Sequence, residues 1–105
     1  MEIKDLLLDE IEARRRKLQK LQLALSQLPR GSLSSKTIQG ISYWYLQWRE
    51  GKKVITRYVP ADEVSSLKEL LAKRKALLIE QKQLQSELVL LRKVGKDLPE
   101  RPYYA

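Results

Sequence analysis

Two leucine-rich heptad patterns, separated by a glycine-punctuated run of alternating and aromatic-rich residues, predict an α+β fold. The expected architecture is an antiparallel coiled-coil helical hairpin with a three-stranded antiparallel β-meander inserted at its tip. Pro29 and Pro60 mark the two changes of pattern, since proline cannot continue a helix interior. The 105 residues make one domain, read as helix over 1–28, meander over 30–60, helix over 61–94 and a tail over 95–105.

The first helix is carried by Leu7, Ile11, Leu18, Leu21, Leu25 and Leu28, whose spacings alternate between four and three and are interrupted only by Arg14. Acidic residues lie in its first half and Arg14, Arg15, Arg16, Lys17 and Lys20 follow, the order that complements the helix dipole.

Within the meander, β-branched and aromatic residues and the turn glycines place strands at Ser32 to Ile38, Ile41 to Arg49 and Lys52 to Val59. Tight turns at Gln39-Gly40 and Glu50-Gly51 join them, because glycine tolerates the positive φ of two-residue hairpins. Register then sorts the side chains. Leu33, Trp44, Leu46, Trp48, Ile55 and Val59 share the buried face, with Trp44 near Arg57 and Trp48 near Lys53. Lys36, Tyr43, Tyr45, Gln47, Arg49, Lys52, Val54, Thr56 and Tyr58 share the other.

The second helix opens at Ala61 to Glu63 and carries the seam Leu67, Leu70, Arg74, Leu77, Gln81, Leu84, Leu88 and Leu91, with Gly95 as its C-terminal cap. Antiparallel closure with Leu28 on Leu67 pairs Leu25 with Leu70, Leu21 with Arg74, Leu18 with Leu77, Ile11 with Leu84 and Leu7 with Leu88. Arg14 then faces Gln81, a polar layer able to fix register. Leu71, Leu78, Ile79 and Leu90 remain outside this seam, and a homodimer is expected on their account. Pro99 and Pro102 end any helix in the tail, where Tyr103 and Tyr104 are candidates to dock on the body or on a partner.

Composition narrows the chemistry. The net charge is +8, and residues 30–60 hold six of the basic side chains against Glu50 alone, so the excess is concentrated in the meander. That favours polyanions as partners without choosing among nucleic acid, anionic lipid and acidic protein. Cysteine and histidine are both absent, which removes thiolate and imidazole ligands, Cys and His nucleophiles and imidazole bases. No phosphate-binding glycine loop is present and Glu50 alone cannot supply paired carboxylates, so neither enzyme activity nor a cofactor is expected. No apolar run reaches the length of a membrane span, and a cytoplasmic protein with no membrane partner is expected.

Arginine and lysine neutralise phosphates, arginine and glutamine meet base edges in pairs of hydrogen bonds, and a sheet can enter a major groove. The polar face of the meander is therefore a candidate nucleic-acid-binding surface, with Arg14, Arg15, Arg16 and Lys17 as a secondary basic patch. Solvated strands are also ordinarily rich in these residue types, so a purely structural role stands beside the binding one.

The pattern Arg30-Gly31-Ser32-Leu33, then Tyr43-Trp44-Tyr45-Leu46-Gln47-Trp48-Arg49-Glu50-Gly51-Lys52, then Arg57-Tyr58-Val59-Pro60 and a helix resembles a group of small uncharacterised prokaryotic proteins. Many of these carry a cysteine-containing insert where this chain has only Ser34 to Ile41. The meander followed by a helix is also loosely similar to the arm-type DNA-binding domains of tyrosine recombinases and to amino-terminal segments of some transposases, which lay a three-stranded sheet in the major groove. That resemblance implies a basic module of phage or mobile-element type that binds nucleic acid, DNA rather than RNA, with the polar face of its sheet, the matching nucleic-acid-binding positions being Lys36, Tyr43, Tyr45, Gln47, Arg49, Lys52 and Thr56. The alternative is a coiled-coil adaptor or inhibitor that engages a protein partner through its basic tip or its leucine-rich helices.

Overall fold

A computed structural model describes residues 2–97, so the tail residues Tyr103 and Tyr104 lie outside the described residues. In chain order the elements are α1 (Ile3–Ser26), β1 (Ser32–Ile38), β2 (Ile41–Glu50), β3 (Lys53–Val59) and α2 (Ala61–Asp97). The fold is an α+β helical hairpin into which a three-stranded antiparallel meander, ordered β1-β2-β3, is inserted. The described residues form two compact units: residues 2–26 with 77–97, and residues 27–76.

In the first unit, α1 and the C-terminal part of α2 run antiparallel. Arg14 pairs with Glu87 and Lys17 with Glu80, so rising numbers on one helix meet falling numbers on the other. Ile11, Leu21, Leu84 and Leu88 are buried, as the heptads require. The alignment differs from the expected one. Arg14 is bound to Glu87 rather than set against Gln81, and Leu7 meets Gly95 rather than Leu88. A seven-residue repeat fits several alignments equally well. The charge-assisted hydrogen bond to Glu87, 2.8 Å long, is stronger than the neutral one Gln81 would offer.

Both helix ends also depart from expectation. Helix α1 stops at Ser26 instead of Leu28, because Pro29 disfavours helical backbone in the residue before it. Helix α2 runs through Gly95 to Asp97, and Gly95 is no left-handed cap. Its missing side chain serves packing instead. A Cβ there would lie 3.1 Å from a Leu7 methyl.

In the second unit, α2 begins where Pro60 accepts a hydrogen bond from the Glu63 amide and Asp62 and Glu63 occupy the first turn, favourably placed at the dipole's positive end. Its residues Val64 and Leu67 pack on Leu46 and Val59 of the sheet, with Leu33, Trp44, Trp48 and Leu71 around them. Val59 is only 1% exposed and Leu46 3%, the best-buried side chains of this core. Leu70, expected in the seam, is 39% exposed, and Leu71 is half-buried in its place. The spacing Val64, Leu67, Leu71 presents one stripe to the sheet, and the sheet sets the phase of this stretch of helix.

The first hairpin is as expected. Ile38 pairs with Ile41, and Gln39 (φ 52°) and Gly40 (φ 82°) both take positive φ, the signature of a type I′ turn. The second turns one residue later than Glu50-Gly51. Glu50 pairs with Lys53, Gly51 has φ 61°, and the central residues are Gly51-Lys52, with glycine first as in a type II′ turn. The register therefore moves by two residues and every face is preserved. Trp44 lies opposite Val59 and Trp48 opposite Ile55, so neither tryptophan has the basic neighbour expected of it. The cation over the Trp44 ring is Lys68 of α2, with Nζ 4.5 Å from the centroid, and the Trp48 indole N–H donates to Glu50 at 3.2 Å.

Candidate nucleic-acid interface

Registers of the three strands place Ser32, Ser34, Lys36, Ile38, Ile41, Tyr43, Tyr45, Gln47, Arg49, Val54, Thr56 and Tyr58 on the face turned away from the Leu46–Val59 core. All the strand residues expected on this face are there. Crossing the sheet from one hairpin to the other, the layers run Lys36 with Tyr43, Ser34 with Tyr45 and Tyr58, Ser32 with Gln47 and Thr56, then Arg49 with Val54. Lys52 stands beyond them in the second turn rather than on a strand. The exposed apolar pair Ile38 and Ile41 closes the first-hairpin end, Lys36 stands just inside it, the second-hairpin end is cationic, and a band of hydroxyl and amide groups lies between.

Lys36, Gln47, Arg49, Lys52 and Thr56 are exposed, while Tyr43 and Tyr45 are half-buried. No acidic residue shares the face. Glu50 belongs to the opposite side of β2, and among the described residues no carboxylate forms an ion pair with Lys36, Arg49 or Lys52. Their charge is left to solvent and to any ligand.

Three contacts organise the middle of the face. Tyr45 and Tyr58 meet edge to face, with centroids 6.0 Å apart and planes at 69°. Lys36 Nζ sits 5.8 Å from the Tyr45 ring centre. The Gln47 amide nitrogen donates to Thr56 Oγ1 across the strands at 3.5 Å. At the entry to β1, Gly31 has φ 117°, and a Cβ there would overlap the Gln47 carbonyl oxygen and crowd Trp48. Only glycine lets the chain pass so close to the strand that carries Gln47.

Sequence reasoning missed four residues of this face: Ser32, Ser34 and the exposed Ile38 and Ile41. The first hairpin carries the signal that finds them. Once Gln39-Gly40 is the turn, alternation assigns each of the four to the Tyr43 side.

The secondary basic patch is differently placed. Arg14 donates to Glu10 and Glu87, and these hydrogen bonds, Glu10 first, raise its guanidinium above an ordinary arginine's pKa. Lys17 reaches Glu80 at 3.5 Å, and Arg16 lies 4.0 Å from Glu12. Most of this run is spent on ion pairs within the helical unit. Arg15 is exposed.

These features define a class: a basic helix–meander–helix protein whose sheet packs one face on its own helix and leaves the other to solvent. The family follows from comparison with known sequences. A family model described as a domain of unknown function, DUF6788, matches residues 8–69, more than half of the chain, and the protein belongs to that family. The matched segment runs from within α1 to the start of α2 and contains the whole sheet. No curated protein and no solved structure matches the chain.

Proposed function

We propose that the protein is a non-enzymatic nucleic-acid-binding module that engages its ligand with the solvent face of the meander, as arm-type DNA-binding modules of mobile elements do. The observation that supports this reading is the distribution of charge. Lys36, Arg49 and Lys52 flank a band of hydrogen-bonding groups on a face that carries no carboxylate among the described residues. Counterions released from phosphates supply affinity at these cations, and amides and hydroxyls between them meet polar groups of the ligand. No helix among the described residues is long and apolar enough to cross a membrane, and we place the protein in the cytoplasm.

An NMR titration tests the location of the site. With a mixed-sequence duplex at low salt, amide shifts are expected to concentrate at Lys36, Tyr43, Tyr45, Gln47, Arg49, Lys52 and Thr56. Shifts confined to α1 and α2 would contradict the assignment.

A second reading, a coiled-coil adaptor or a homodimer, rests on one observation in the helical unit. Ile79, Val89 and Leu90 are each more than 60% exposed, apolar surface on which a helix of a partner or a second copy would dock.

A further inference from the structure

We infer that the sheet is a sequence-specific reader of B-form duplex DNA in which Gln47 selects an adenine and Arg49 a guanine two base pairs away. This deepens the nucleic-acid reading above and rests on it. The argument begins with the tyrosines. Reading an unpaired base requires an open aromatic face on which it can stack. Here the edge of one ring meets the face of the other in the Tyr45–Tyr58 pair, and Lys36 lies over Tyr45. Tyr45 is thus engaged by Tyr58 and Lys36, and the hydrogen-bonding side chains beside this pair are of the kind that meets the edges of bases.

Gln47 is oriented for one edge in particular. Its amide nitrogen gives one N–H to Thr56 Oγ1. What remains outward is the second N–H and the carbonyl oxygen, a donor beside an acceptor. Adenine in the major groove presents the complement, N7 as acceptor and the N6 amino group as donor. Arg49 is exposed, has no carboxylate partner among the described residues, and offers the fork that matches guanine O6 and N7. Val54, directly across from Arg49 and 53% exposed, presents methyl groups suited to a neighbouring thymine methyl.

Spacing joins the two contacts. Residues two apart on one strand face lie about 6.8 Å from each other, which is about two base-pair steps of 3.4 Å. The major groove of B-form DNA, ~12 Å wide, admits a two-stranded ribbon, and the β2–β3 pair carries Gln47, Arg49, Val54 and Thr56. The A-form major groove of RNA is too deep and narrow for side chains to read, so a duplex of RNA is excluded as the specific ligand.

The test is selection of duplexes from a randomised pool by the full chain at fixed, near-physiological salt. The selected site is expected to contain an adenine and a guanine two steps apart. Gln47→Ala should lose roughly 5- to 150-fold affinity for the selected duplex, relax preference at the adenine alone, and lose far less on the unselected pool. Arg49→Lys, which keeps the charge but not the fork, should keep pool binding and lose preference at the guanine. Both positions are exposed, and thermal melts of both variants should match the parent. Enrichment of no sequence, tighter binding of single-stranded DNA or RNA, or uniform weakening by Gln47→Ala would overturn this inference while leaving the nucleic-acid surface intact. Failure to bind any of the pools at low salt would overturn both.

Discussion

Leu46 and Val59 anchor the core beneath the solvent face, and Gly31 admits the chain to that sheet. Leu46→Ala should cost about 2–5 kcal/mol of unfolding free energy, the range for emptying a buried leucine site. Gly31→Ala should cost about 1–3 kcal/mol in the same denaturation experiment, since alanine would be strained at φ 117° and its Cβ would overlap the Gln47 carbonyl. By contrast, Arg49→Ala and Lys52→Ala remove exposed groups with no ion-pair partner among the described residues. Their unfolding free energies should stay within about 0.5 kcal/mol of the parent while binding to nucleic acid falls.

The hairpins carry the next predictions. Gln39 holds φ 52° without being glycine, asparagine or aspartate, the residues that a type I′ turn prefers. Gln39→Gly should therefore stabilise the sheet, by about 0.5–1 kcal/mol in chemical denaturation, because the left-handed strain outweighs the added freedom of the unfolded chain. Which face a strand residue takes was legible in the sequence because a strand's alternation has period two. Register was not. A turn at Glu50-Gly51 and one at Gly51-Lys52 both use Gly51, differ by two in pairing, and put identical side chains on each face. The alternation that gave away the face of Gln47 is blind to that choice, which is why the neighbours of Trp44 and Trp48 came out differently. The helices hid their alignment for a similar reason. Their leucine repeats accept shifts along the seam, and the pairing of Arg14 with Glu87 is not visible in the repeat. Leu70 and Leu71 could be told apart only by the sheet, because the stripe facing it passes through Leu71. Of the candidate site, the alternation of β2 made the polar strand positions legible, whereas the internal pairing of Arg14 and Lys17 depends on carboxylates far away in sequence.

For the whole molecule the governing quantity is where its charge is free. The chain carries +8, yet the Arg14 to Lys17 run is largely paired with carboxylates of the two helices, while the meander keeps its cations uncommitted. Surface ion pairs contribute little to stability but do remove charge from long-range attraction. If a second copy covers the apolar surface of the helical unit, sedimentation equilibrium of the parent should give a dimer, and the Ile79→Glu, Leu90→Glu double variant a monomer with an unchanged helical spectrum. A parent that stays monomeric at high concentration would leave that surface to another partner.

The most direct test of the account is a salt titration of binding to mixed-sequence DNA, comparing the parent with the Arg49→Ala, Lys52→Ala double variant. The parent should bind at low salt with log affinity falling steeply and linearly in log salt, and the variant should bind more weakly, with a shallower slope. Absence of binding at low salt, or a variant indistinguishable from the parent, would contradict the assignment of the sheet as a nucleic-acid surface.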